Sequence, residues 1–189
     1  MLFLQYMDEY IDIVTKTGEP TGESALKSEI HNKGYYHNTV HIWFYTTKGE
    51  VLLQQRAASK TICPLLWDVS VAGHIDAGET LTSGAVREVK EEIGLVISEN
   101  DLHKIGVSES FQTYPNGIID NEFHHTFIAE LKVNLSELTP QKEEVEALKL
   151  VTFSAFETLL QQSNTNGHFI ASNTEYYKRI LQAIKESIN

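Results

Sequence analysis

Residues 73 to 95 read Gly73-His-Ile-Asp-Ala-Gly-Glu79-Thr-Leu-Thr-Ser-Gly84-Ala-Val-Arg87-Glu88-Val-Lys-Glu91-Glu92-Ile-Gly94-Leu95. Leu81, Ala85, Val86, Val89 and Ile93 recur at a helical period, which predicts a helix over 81–93 that stops at Gly94. At about 100° per residue, Glu88, Glu91 and Glu92 fall at i, i+3 and i+4, one above another on one side of that helix. Like charges so placed repel by roughly a few tenths of a kcal/mol per pair, and Arg87 offsets only part of this. A hard divalent cation, Mg2+ or Mn2+, would remove the penalty, because such ions take carboxylate oxygens. Gly84 lies one turn before Glu88 on the same side, where a glycine costs about 0.5–1 kcal/mol against alanine. Its missing side chain would let a substrate or a loop approach. Taken alone, an acidic run of this kind is more often a solvated helix face.

Outward from this segment, strands and helices alternate. Val40–Tyr45 is rich in β-branched and aromatic residues, Lys48-Gly49 turns the chain, and Val51–Gln55 returns as the second arm of a hairpin. Trp67 to Ala72 reads as one strand and Leu95-Val96-Ile97 as another. Further strands are expected near 105–112, 122–131 and 148–153. Ser154 and Glu157 form a capping box for a short helix. From Glu175 onward, Tyr177, Ile180, Leu181, Ile184 and Ile188 share one helical stripe, so the tail should dock on the core. The architecture that follows is α/β: a mixed sheet with helices on its faces.

Composition narrows the function classes. Acidic residues outnumber basic ones 26 to 15, for a net charge of −11, which excludes a broad nucleic-acid-binding face. A small phosphorylated partner stays open, since bound cations invert the local field. One cysteine, Cys63, rules out an intrachain disulfide and an all-cysteine metal site, and is expected to be a buried inert thiol. Met1-Leu2-Phe3-Leu4 resembles the start of a leader, but it carries no basic residue and is ended by Asp8 and Glu9. With no apolar run of 18 residues, the chain reads as cytoplasmic, with no membrane partner. A homodimer is the common prior for a chain of this kind. No nucleophile-elbow spacing supports a serine hydrolase.

Gly73, five residues, Glu79, seven residues, then Arg87-Glu88-Val89-Lys90-Glu91-Glu92-Ile93-Gly94-Leu95 match every defined position of the Nudix box. Seven fixed residues match by chance in such a chain on the order of one time in a million. The chain therefore resembles the Nudix hydrolases, roughly from His37 to Leu160. The resemblance implies an α/β/α sandwich whose box forms a loop–helix–loop beside the mixed sheet. It places the domain at residues 37–165. An N-terminal strand and hairpin extension, 1–36, would pack on it, and a C-terminal helix, 166–189, would dock against it. It implies that Glu88, Glu91 and Glu92, with the carbonyl of Gly73, bind Mg2+ or Mn2+, and that Glu79 braces Arg87. The implied reaction is hydrolysis of a diphosphate linked to another moiety in a small molecule. In it the catalytic carboxylates are Glu91, Glu92 and Glu122, and the proton acceptor is Glu92 or Glu122. Arg56 is a candidate for a substrate phosphate. Tyr114-Pro115-Asn116-Gly117 reads as a turn, and Glu143-Glu144 as solvated loop.

A second layer of similarity concerns the isopentenyl-diphosphate isomerase branch. Asp12-Ile13-Val14 before Gly18-Glu19, His37 ahead of Trp43, Trp67 ahead of Gly73-His74, and Asp120-Asn121-Glu122 all resemble it. The resemblance implies a metal or substrate role for His37 and His74, and for His31, whose spacing differs by one residue. Asp120 and Glu122 would be acidic site residues; alternating on a strand, they share a face. The departure is at position 72. The isomerase has its catalytic cysteine two residues before the histidine matching His74, and Ala72 stands there instead. Alanine transfers no proton, and the complete box also departs from the isomerase pattern. Diphosphate hydrolysis is thus the leading expectation. An isomerase or prenyl-diphosphate-binding relative is the first alternative, and a non-catalytic ligand-sensing Nudix module the second. The segment is also similar to the start of a longer plant protein in which it precedes a peptidase, an extension for which 189 residues leave no room.

Overall fold

The long strand β3 (Tyr36–Thr46) sorts the core into two layers. In the computed structural model, which describes residues 9–163, 165, 169–170 and 174–188, Val40, Ile42 and Phe44 join one apolar cluster. Trp43 and Tyr45 join the other. This is the two-residue period of a strand buried on both faces. The Met1–Leu4 leader reading lies outside the described residues.

β3 pairs along its length with β8 (Ile119–Glu130) in parallel, from Tyr36 opposite Asn121 to Tyr45 opposite Glu130. β7 (His103–Thr113) adds to β8 in antiparallel. The other edge of β3 is shared among three partners. β1 (Tyr10–Val14), itself paired with β2 (Pro20–Leu26), meets its start. β6 (Val71–His74) meets its middle and β4 (Glu50–Arg56) its end. β4 continues the sheet through β5 (Trp67–Asp68) and β9 (Val145–Thr152). The expected Trp67–Ala72 strand is thus two short strands. The break has a physical cause: the Ser70 hydroxyl takes the Phe44 N–H (2.9 Å) and donates to the Leu52 carbonyl (2.6 Å). Ser70 satisfies the backbone where β3 and β4 splay, and makes room for β6.

α2 (Leu81–Ile93) runs over the span expected and buries Ala85, Val89 and Ile93 against Val40, Ile42 and Phe127. Thr80 caps its start, and Gly94 ends it in the left-handed conformation at φ 69°. No strand follows. Residues 95–98 are irregular, pairing with no strand among the described residues, and Val96 is 78% exposed. α3 (Phe153–Gln162) is capped by Thr152, whose hydroxyl accepts from the Ala155 N–H, and not by Ser154 as its spacing to Glu157 suggested. α4 (Thr174–Ile188) lays Tyr177, Ile180, Leu181 and Ile184 on the opposite face of the sheet, with Trp43, Leu53 and Phe156. The result is the expected α/β/α sandwich on a mixed sheet. α1 (Lys27–Lys33), which shows no apolar period in the sequence, spans the mouth of the sheet with only Ile30 buried. Among the described residues no helix is long and apolar enough to cross a membrane.

Candidate active site

The loop before α2 is tied down by one ion-pair hub. Arg87 donates to Glu79 through Nη2 (2.8 Å) and Nε (3.1 Å), and from Nη2 to the His74 carbonyl (3.0 Å). A Cβ on Gly84 would lie 2.6 Å from Ile75 Cδ1 and 3.1 Å from Glu79 Oε2. The loop fills the space that Gly84 leaves, so that space is not an entry for substrate. Gly73 makes a tighter demand, since a Cβ there would lie 2.0 Å from the carboxyl carbon of Glu88. Its bare backbone in β6 therefore sits directly against that carboxylate.

The three box glutamates differ in setting. Glu92 is buried, and its Oε2 accepts from the Ala72 N–H (3.3 Å) on the outer edge of β6. Glu88 is nearly buried and receives Arg87 Nη1 (2.8 Å). The Glu91 side chain is 52% exposed and is held by the same Nη1 (3.0 Å). Burial pushes the Glu88 carboxyl up to about 7, against the pull of Arg87. Burial, and then the charge of Glu88, hold Glu92 well above the usual carboxylate range. Two buried carboxylates that resist ionising beside one another fit a cation between them, which would supply the missing positive charge.

A second constellation lies on the cleft floor. One ligand atom from each of His31, His37, His74 and Glu122 falls within 4.8 Å of the others. α1 supplies His31, β3 His37, β6 His74 and β8 Glu122. His31, doubtful by spacing, is thus brought fully into the group. His37 Nε2 and His74 Nε2 are buried without a hydrogen-bond partner, as is Asp120 Oδ1, 3.4 Å from His31 Nε2. Orphaned imidazole nitrogens converging on one point fit a metal ion. Burial, then the Lys27 charge, lower His74 well below its ordinary value, which keeps it neutral. Burial is the largest influence on Glu122 and disfavours its ionised form, but the hydrogen bond from His124 together with the contacts and charges of His37, His124 and His74 outweighs it and holds the carboxyl well below the usual range.

The box glutamates, His31, His74, Asp120 and Glu122 line one cleft of about 1800 Å³ between α1 and α4, while His37 is fully buried and is not part of its wall. Arg56 reaches it and faces Asp68 at 3.8 Å, while its Nε donates to the Ile62 carbonyl (3.0 Å). Tyr114–Gly117 is a turn, closed by Gly117 N–H to the Tyr114 carbonyl (3.0 Å), on the rim. Cys63 is half-buried and lines the cleft, so it is less enclosed than expected. Glu144 pairs with Lys60 on the cleft wall, so this part of Glu143-Glu144 is more than solvated loop. Three further groups went unread in the sequence: His41, His124 and Tyr176. The signal for His124 was present, since it follows Glu122 by two on a strand and must share its face. Tyr176 lies beside the tail's apolar stripe, and nothing local marked it.

A match to the NUDIX domain covers residues 35–172. Nudix hydrolase 3 of Arabidopsis thaliana is 37% identical over 161 residues, 83% of this chain but 21% of that protein, so the chain spans about a fifth of it. An uncharacterized Nudix hydrolase of Clostridium acetobutylicum is 38% identical over 145 residues, 75% of this chain and 68% of that one. Isopentenyl-diphosphate Delta-isomerase 2 of Photorhabdus laumondii is 37% identical over 148 residues, 76% and 81% of the two chains. Among solved structures, a Deinococcus radiodurans protein superposes with a TM-score of 0.69 at 19% identity, covering 90% of this chain and 98% of that one. The NUDIX domain of Shewanella oneidensis NrtR, solved with ADP ribose, superposes at 0.57 and 16% identity, covering 87% and 100%. At these identities the two structures speak for the fold.

Proposed function

The chain belongs to the NUDIX domain family, the Nudix hydrolases, and from that premise we propose that it hydrolyses a diphosphate linkage in a small phosphorylated molecule. The observation that carries the reading is the Glu88–Glu92 pair against β6, Glu88 packed on the bare backbone of Gly73 and Glu92 on the Ala72 N–H, two carboxyls whose pKa burial raises and that a cation between them would compensate. Glu88, Glu92, the Gly73 carbonyl and the outlying Glu91 would hold Mg2+ or Mn2+. His31, His37, His74 and Glu122 would hold a second ion, for which imidazole donors favour Mn2+ or a softer metal over Mg2+. Bound there, divalent ions polarise phosphoryl oxygens, lower the pKa of an attacking water and offset charge on the departing phosphate.

The chain's own residues do the rest. Arg87 fixes Glu88 and Glu91 from behind, and Glu79 fixes Arg87. Glu92 is the better proton acceptor of the two candidates, because Glu122 already has one oxygen on His124 and the other among imidazoles. Arg56 would take a phosphate oxygen. A polar wall of His41, His124 and Tyr176 beyond Glu122 suits a hydrogen-bonding moiety better than a prenyl chain. A charged substrate of this kind is kept within the cytoplasm by its own ionisation.

Isomerisation is the second reading, favoured by the imidazole cluster. Ala72 lies opposite His41 in the β3–β6 ladder, at the cleft floor where the isomerase would carry its thiol, and a methyl group moves no proton. One assay separates the readings: phosphate and diphosphate release from nucleoside di- and triphosphates, nucleotide sugars and prenyl diphosphates, with Mg2+ or Mn2+. Hydrolysis of at least one, abolished in Glu88→Gln, is expected. Turnover of isopentenyl to dimethylallyl diphosphate by the unaltered chain, with no hydrolysis anywhere in the panel, would replace this proposal by the isomerase.

A further inference from the structure

Beyond Glu122 lies a buried polar chain that hydrolysis as described does not use. His124 Nε2 stands 2.7 Å from Glu122 Oε2, and with an ionised carboxylate as acceptor that nitrogen must carry the proton. The other oxygen, Oε1, points the opposite way, 3.6 Å from His37 Nε2 and 3.7 Å from His74 Nε2. The His124 ring in turn stacks on His41, with centroids 4.0 Å apart and planes 28° from parallel. His41 Nδ1 meets the Tyr176 hydroxyl at 2.7 Å, and Trp43 Nε1 donates to the same hydroxyl at 3.0 Å. Since indole can only donate, the phenolic proton remains available to His41 Nδ1. Tyr176 is buried and belongs to α4, so each link from that helix to the cleft floor is packed and directional.

We propose that His124 is a positioning residue: it engages one oxygen of Glu122 so that the other alone faces the imidazole cluster, and α4 holds His124 in register through Tyr176 and His41. Glu122 is thereby a one-oxygen ligand with a fixed direction, and the C-terminal helix, far from the box in sequence, becomes part of the cation site. A carboxylate free to turn would chelate with both oxygens or rotate off the imidazoles and lose the preformed geometry. The proposal rests on reading the cluster as a cation site.

The test is Co2+ binding followed by visible absorption, in which imidazole donors move the bands to shorter wavelength than oxygen donors do and the intensity rises as the coordination number falls. His124→Phe keeps a ring on His41 and removes the donor; His124→Gln returns an N–H near the Nε2 position. The expected result is a Co2+ affinity about 10–100-fold weaker in His124→Phe with an altered spectrum. Recovery of most of both is expected in His124→Gln, with a smaller loss in the same direction in Tyr176→Phe. An unaltered affinity and spectrum in His124→Phe overturns the proposal. So does a His124→Gln no better than His124→Phe, and so does an unaltered chain that binds no Co2+ through imidazole. Should His124→Phe fail to fold, Tyr176→Phe decides, and an unchanged spectrum there overturns it. Because the titration needs no turnover, a chain that binds Co2+ through imidazole yet hydrolyses nothing would sink the hydrolase reading and leave this one standing.

Discussion

Gly73 and Glu88 touch so closely that a β carbon on the glycine would fall 2.0 Å from the glutamate's carboxyl carbon. Strand β6 and helix α2 thus share a space that admits a carboxylate or a side chain on residue 73, but not both. Gly73→Ala should displace Glu88 by an ångström or more, and a misplacement of that size costs on the order of 100-fold in rate. Loss of kcat together with weakened Mn2+ binding, at near-normal stability, is expected. A Gly73→Ala protein with unchanged kcat would show that Glu88 is not part of the site.

Glu92→Gln keeps the shape of a buried side chain and removes its capacity to accept a proton. A drop in kcat of about 100- to 10,000-fold is the scale for losing a general base. Far-ultraviolet circular dichroism should be unchanged. Activity within a few-fold of the unaltered chain would move the base elsewhere, with Glu122→Gln the next measurement.

Arg87→Ala removes the hub that Glu79, Glu88 and Glu91 share, and leaves the half-buried Glu79 facing the loop without its cation. A loss of about 2 kcal/mol in urea unfolding is expected, on the scale of a half-buried charge-assisted contact. Glu79→Gln should lose less, since the amide oxygen still accepts from Arg87. Equal, negligible effects of both changes would refute the bracing role.

His125 gives a pH dependence with a definite sign. Burial first, then the charge on Lys104, lower its pKa to about 4. Its Nε2 meets Asn38 Oδ1 (2.9 Å), while its Nδ1 is buried without a partner, so protonation would create a donor with no acceptor. The unfolded ring takes its proton near 6.5 and the folded ring only near 4, so the unfolded state binds more protons between these values. The contribution to stability is therefore full above about pH 6.5 and declines as pH falls toward 4. Urea titrations in EDTA across that range should show a shallower decline for His125→Gln than for the unaltered chain. Parallel curves would exclude His125 as the source.

Much of this architecture was legible because it rests on local periodicity. Leu81–Ile93 announced itself by its apolar stripe and its terminal Gly94, and the box spacing located Glu79, Arg87 and the acidic trio on it. What stayed hidden depended on partners distant in sequence. Leu95-Val96-Ile97 has strand-like residues, but a strand requires a pairing partner and among the described residues no strand pairs with them. α1 is too short and polar to show a period, yet it decides whether His31 reaches His37 and His74. Trp67 to Ala72 looked continuous because no local feature reveals that Ser70 serves the backbones of two other strands. Tyr176 faces the cleft from a helix whose neighbouring stripe was all that the sequence displayed.

Strand β6 pairs with β3 on one edge, and on the other it hands the Ala72 N–H to Glu92. Among the described residues no strand pairs with that second edge, and a side chain of α2 takes the place a strand would fill. Glu88, Glu91 and Glu92 line the cleft beside it. An edge that a sheet would otherwise leave open to another backbone is thereby occupied by the protein's own carboxylate.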